Sequence, residues 1–349
     1  VLTAALFPAL LHYFGIFIMV HLEAKKLGLR GLRAEELPKA ALVIKQHWLS
    51  IIPLGILVYF ILDGRTPDFA AVYGIIACVV VGFLNPVNRL SIKDLWDSLA
   101  VGAKNTLAVG AAAATVGIVV GVVTLTGVGF RLGYVVVQTA TDMGAVIGDI
   151  WPLNFFSVEQ WALFVSLILI ALACIIMGAG IPTTATYIIL VAVAAPALAQ
   201  LNVQPLVSHF FVFYYGVLAD ITPPVALAAY AAAGIAGANP FKTGNTAFRL
   251  GIAKALVPFV FVYSPALLIV VDGFTWYSFF VTLVGAMLGI ATLGTAFAGY
   301  LFTHMSMAQR WWFALVSFLF IAPGLVTMAI GLVLLAPMIF LQLRQRKLA

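Results

Sequence analysis

From Trp161 to Leu201 the chain reads as a single apolar run, longer than the roughly 20 residues that cross a bilayer core. A backbone in lipid finds no water to bond, so such a run must close its hydrogen bonds inside helices. The run is interrupted at its centre by MGAGIPTTATYIIL, Met177 to Leu190, which places two glycines, a proline and three threonines where a membrane helix favours leucine. A break at that depth persists only where protein or a polar cavity supports the freed backbone groups. The sequence therefore asks for an all-α polytopic membrane protein with an interruption built into one of its spans.

Composition agrees. The 349 residues are 64% hydrophobic and 9% charged, against about 25% charged in a soluble domain. No alternating short strands of a β-barrel are visible. The net charge of +6 is spread over short basic blocks between apolar segments, as the positive-inside rule arranges them, so no nucleic-acid partner is implied. Cys78 and Cys174 both sit in apolar runs and are expected to be buried free thiols. No GxxxxGK[ST], HExxH or aspartate-rich cluster appears, which leaves an ATPase or membrane metalloenzyme without a motif. The start VLTAALFPAL has neither methionine nor a basic leader, and reads as a chain that begins part-way through a protein.

Apolar helices are predicted near 1–20, 47–62, 69–84, 106–125, 253–271, 277–302, 311–321 and 325–343, with broken segments at 161–201 and 208–238. The stretch RLSIKDLWDSLAVGAK is either an interfacial helix or an ordinary connecting one. Gly127 to Gln160, carrying Arg131, Asp142, Asp149 and Glu159, reads as surface or interfacial. If the loop after Val20 is cytoplasmic and 161–201 enters and leaves by one face, all of the 18 basic residues except Arg65 and Arg131 fall inside. That count includes Lys242, Arg249 and Lys254. A single crossing at Pro182 would reverse every later loop and destroy the bias, so the count favours a re-entrant hairpin.

The chemistry of the two breaks follows from their residues. Gly178 and Gly180 permit tight turns, and Pro182 suits the first position of a new helix. The arm ending there presents carbonyls that attract a cation, whereas the arm beginning with Thr183, Thr184 and Thr186 presents amides and hydroxyls that attract an anion. The alternative is a proline kink whose threonines bond back to their own helix. The second break, LADITPPVALAAY, has consecutive Pro223 and Pro224 and is expected to unwind over Asp220 to Pro223 and to restart at Pro224. Asp220 is the one acidic residue deep within a predicted span, a costly placement that points to function. It either coordinates a cation or bonds the unwound backbone, and Thr222 is a candidate cation ligand beside it. His209 reads as structural, and Gly285 with Gly289 as a close-packing GxxxG. ALFPALLHY (Ala5–Tyr13) and ALVPFVFVY (Ala255–Tyr263) share Ala, Leu, Pro and Tyr in register. In the topology above they run in opposite directions, as inverted repeats do, although four matches in an apolar background also arise by chance.

The runs GAGIPTTATYIILVAVAAPAL, HFFVFYYGVLADITPPVALAAYAAAGIAGANPFKTG and PFVFVYSPALL resemble the large membrane subunit of the tripartite ATP-independent periplasmic (TRAP) transporters, most specifically from Gly178 to Leu268. The form ADITPPVALAA, with further C-terminal helices, looks like the fused permease of the TAXI-type subgroup. The resemblance implies an elevator-type secondary transporter with inverted repeats. It would be driven by Na⁺ and import a small carboxylate delivered by a periplasmic substrate-binding protein. It further implies a small four-helix membrane subunit or fused domain as partner, and residence in a bacterial or archaeal cytoplasmic membrane; the charge count above puts the C-terminus inside. By resemblance, Gly178, Gly180, Asp220 and Thr222 would hold Na⁺, while Pro182, Thr183, Thr184, Thr186 and Pro224 would line the substrate site. Residues 1–105 would close a first repeat and carry scaffold helices, 106–271 would form the second repeat, and 272–349 would add C-terminal helices outside the core. The first hairpin and first broken helix of such permeases are absent, so an N-terminal half-repeat is expected to be missing. The competing readings are a H⁺-coupled carrier with Asp220 as proton acceptor, and an ion channel with the breaks as its filter.

Overall fold

The computed structural model describes the chain except for residues 32, 34, 38, 87–88, 151–156, 179–182, 225, 323 and 349. Fifteen α-helices are described: α1 (Leu2–Lys26), α2 (Ala40–His47), α3 (Ile52–Leu62), α4 (Pro67–Leu84), α5 (Ile92–Thr126), α6 (Val128–Ile150), α7 (Val158–Gly178), α8 (Thr183–Gln200), α9 (Pro205–Ala219), α10 (Leu227–Ala236), α11 (Pro240–Gly251), α12 (Leu256–Tyr263), α13 (Trp276–Ala298), α14 (Met307–Ile321) and α15 (Leu325–Leu348). Short 3-10 turns lie at Trp48–Ile51, Ile252–Ala255 and Pro265–Leu268. Among the described residues the only β feature is an isolated bridge between Tyr300 and His304.

Seven described helical segments are long and apolar enough to cross a membrane, and they include α1, α4, α7, α13 and the stretch Pro240–Tyr263. Their outer faces are apolar: Phe17, Ile75, Ile176 and Phe340 are all largely exposed. A water-facing surface of that kind would aggregate, whereas lipid accommodates it.

By internal packing the chain divides into two units, residues 1–29 with 112–349, and residues 30–111. In the smaller unit α3 and α4 pack as a helical pair. Thr66 caps α4 through Phe69 N–H at 3.3 Å, with Pro67 at the first helical position, where its missing donor costs nothing. Cys78 lies on an exposed face of α4, contrary to expectation, while Cys174 is buried on α7. From Ile92 on, the predicted amphipathic stretch and the glycine-alanine helix after it are one continuous helix, α5, because no proline separates them and Asn105 alone does not break it.

In the larger unit α6 packs against both arms of the broken segment. A β-carbon at Gly133 would stand 3.1 Å from the Ala197 backbone on α8, and one at Gly144 would stand 3.0 Å from Ala162 on α7. The part of that stretch in α6 is thus a packed helix that exposes Arg131 and Asp142 on its outer side, while residues 151–156 lie outside the described ones.

The C-terminal helices are not all peripheral. α13 is the most buried of the candidate spans, at 61% of its apolar window. Two faces of small residues explain this. Gly285 and Gly289 approach the α14 carbonyls of Phe320 and Ser317, whereas Gly294 approaches Ile18 and Met19 of α1. At one end of this unit Lys26 Nζ donates to Ala298 O at 2.9 Å and Arg310 donates to Ala296 O at 2.8 Å. The two cations satisfy the carbonyls that end α13. Glu23 joins the same group by pairing with Lys26 and Arg249.

Candidate functional site

The first break separates α7 from α8. Gly180 and Pro182 lie outside the described residues, as do the side chains of Thr183 and Thr184, although α8 begins at Thr183. Gly178 is the last residue of α7 and is buried. A β-carbon there would meet Ala219 Cβ at 2.7 Å and Thr186 Cγ2 at 3.1 Å. Thr186, 1% exposed, presents the same methyl to Gly216.

The second break is thereby brought against the first. α9 ends at Ala219 and Asp220 caps it, half-exposed and still in helical geometry. The chain then tightens: Asp220, Ile221 and Thr222 donate their N–H groups to Val217, Leu218 and Ala219 at 3.3, 3.2 and 3.0 Å. The Asp220 carbonyl is taken by Ala228 N–H at 3.1 Å, a bond that spans the interruption. Thr222, 9% exposed, donates its hydroxyl to Leu218 O at 2.8 Å. The hydroxyl oxygen keeps lone pairs that a cation can use. Pro224 is exposed, and its carbonyl accepts the Tyr230 hydroxyl.

The helix restarts at Leu227, three residues later than the proline pattern suggests. Ala226 precedes it at φ 26°, outside right-handed helical geometry, so the turn cannot propagate from Pro224.

Two glycines of α11 hold this break from the far side. On α11 a β-carbon at Gly244 would meet Tyr230 at 3.0 Å and Ala226 at 3.3 Å, and one at Gly251 would meet Ile221 at 2.5 Å. Their seven-residue spacing puts both on one helix face, a signal present in the sequence. Asn239 caps this helix through Lys242 N–H at 3.0 Å, which fixes its start at Pro240. His209 is bonded through Nδ1 to the Tyr187 hydroxyl at 2.7 Å, a tie between α8 and α9.

Apolar spans and two interrupted helices that meet within the bundle define a multi-pass membrane protein. Residues 1–276 match the family model described as "Tripartite ATP-independent periplasmic transporter, DctM component", and the chain belongs to that family, one of transport permeases and not of enzymes. No curated protein and no solved structure gives a match. The matched region ends as α13 begins, so the helix most deeply packed among the spans lies almost wholly beyond it.

Proposed function

We propose that this chain serves a Na⁺-coupled secondary permease of the TAXI type, importing a small carboxylate handed over by a periplasmic substrate-binding protein. The observation that carries the reading is the meeting of the two breaks, with Gly178 against Ala219 and Asp220 next in the chain. In this reading Gly178, Gly180, Asp220 and Thr222 hold Na⁺. Pro182, Thr183, Thr184, Thr186 and Pro224 line the carboxylate site on the amide-bearing side. Sodium bound first would offset the Asp220 charge and order the hairpin tip, lowering the barrier to an anion at membrane depth. The segment 161–201 acts as a re-entrant hairpin, and the body that bears both breaks shifts against the rest in an elevator motion. A four-helix membrane subunit or fused domain completes the assembly in the cytoplasmic membrane, with the C-terminus inside.

Uptake into vesicles under imposed gradients tests this. Accumulation that follows a Na⁺ gradient and ignores a H⁺ gradient is expected. The reverse would make Asp220 a proton acceptor, and current without the binding protein would make the breaks a channel filter. Thr183→Val combined with Thr184→Val is expected to abolish uptake; unchanged uptake would mean that these threonines only pack.

A further inference from the structure

Lys254 does not lie among the cytoplasmic charges where the sequence count put it. It is 5% exposed, in the 3-10 turn Ile252–Ala255 between α11 and α12, within the candidate span Pro240–Tyr263. Its Nζ stands 3.1 Å from His12 Nε2. His12 is near the middle of the 25-residue α1, so the contact sits at membrane depth. Gly15 lets α1 approach the backbone of this turn, since a β-carbon there would lie 3.4 Å from the Lys254 backbone nitrogen.

The His12 ring gives this ammonium a hydrogen-bond partner, and none of the ion pairs among the described residues joins it to a carboxylate. The ion pairs among the described residues join Glu23 to Lys26 and Arg249, and Asp63 to Arg65. Around the pair α1 contributes His12 and Tyr13, α9 contributes the Tyr214 ring stacked edge-on to His12, and α13 contributes Ile290 and Gly294. A cation held in a low dielectric without an anion costs several kcal/mol, and intramembrane lysines mark ion or substrate paths by default. The break is next to it. The space above Gly251 is closed by Ile221 Cδ1 from one side and by Lys254 Cε from the other, at 2.5 and 3.3 Å from a β-carbon built there. Ile221 lies between Asp220 and Thr222.

We propose that Lys254, parked on His12, is the positive group that recognises the carboxylate of the transported anion. The inference rests on the carboxylate-permease reading and supplies the cation that neither break contains. On arrival of the anion the ammonium exchanges a neutral imidazole for a carboxylate, a stronger, charge-assisted partner.

The test uses the complete permease with its binding protein in proteoliposomes, and radiolabelled acetate, pyruvate, succinate and glutamate as probes. Lys254→Met is expected to raise KM for the transported probe on the order of 30-fold or more, and Lys254→Arg to retain uptake. The double variant His12→Leu with Lys254→Met separates recognition from a structural clasp, because replacing both partners by apolar groups leaves nothing unsatisfied. It is expected to unfold at the wild-type temperature and still lose carboxylate uptake. Wild-type KM in that double variant would overturn the inference and leave the permease reading intact. Wild-type protein that takes up none of the four carboxylates would overturn the carboxylate reading, and the role of Lys254 with it.

Discussion

Gly178 ends its helix directly against Ala219, so closely that a methyl group at position 178 would stand 2.7 Å from the Ala219 β-carbon. Gly178→Ala must therefore move α7 off α9 or unseat the Thr186 methyl. Overpacking of this kind costs about 1–3 kcal/mol. The expected outcome is a lower unfolding temperature in detergent together with a large loss of uptake. Adding Ala219→Gly removes the colliding carbon, and is expected to restore most of both.

The α13–α14 seam offers a second test of close approach. A β-carbon at Gly285 would lie 2.5 Å from the Phe320 carbonyl oxygen, whereas one at Gly289 would lie 3.2 Å from that of Ser317. A backbone oxygen cannot swing aside as a side chain can. Gly285→Ala is expected to cost about 2 kcal/mol or more and Gly289→Ala about 1. Unfolding titrations of the two variants in mixed micelles check the order.

The start of α5 gives a pH-dependent outcome outside the membrane spans. Asp94 accepts from the Ser91 hydroxyl at 2.6 Å and from its N–H at 3.0 Å, while its own N–H donates back to Ser91 Oγ at 3.1 Å. The hydroxyl bond first, then the backbone bond, hold the carboxyl below its ordinary 3.8. The folded form thus favours the carboxylate. Its contribution is complete above 3.8 and drains away as pH falls through the lower folded value. As pH is lowered from about 4 to about 2, Trp96 fluorescence should report fraying of this turn in the wild type. Ser91→Ala should remove most of that pH dependence and leave the turn frayed throughout.

The architecture was legible because lipid leaves the backbone so few choices. Apolar length and the two Gly/Pro interruptions were enough to place the helix ends around Gly178 and Asp220. The GxxxG at Gly285 was likewise read as a packing surface, since small residues at that spacing serve little else. What the sequence hid were facts of the third dimension. α13 looked like an appendage because its hydropathy matches a lipid-facing span, and only its second small-residue face, at Gly294, reveals the contact with α1. Lys254 looked cytoplasmic because charge counting treats a basic residue at a helix start as solvated. Its imidazole partner lies 242 positions away in the chain, beyond the reach of any local pattern.

Two adjacent tyrosines show how the broken helix is anchored to its neighbours. Tyr215 donates its hydroxyl to Ala255 O at 2.7 Å, and Tyr214 donates to Pro8 O at 3.1 Å. The acceptors belong to the two segments that echo one another in sequence, α1 and the turn leading into α12, so α9 is pinned to both just before its break at Asp220. Each hydroxyl can be deleted without a cavity by a change to phenylalanine. A net loss of about 0.5–1.5 kcal/mol is expected for each, with Tyr215→Phe the larger because its bond is shorter and its ring is only 3% exposed. The acceptors lie on different elements, so the double variant is expected to lose about the sum, within ~0.5 kcal/mol. A loss well above the sum, measured by reversible unfolding in mixed micelles, would mean that α1 and α12 hold α9 as one cooperative unit.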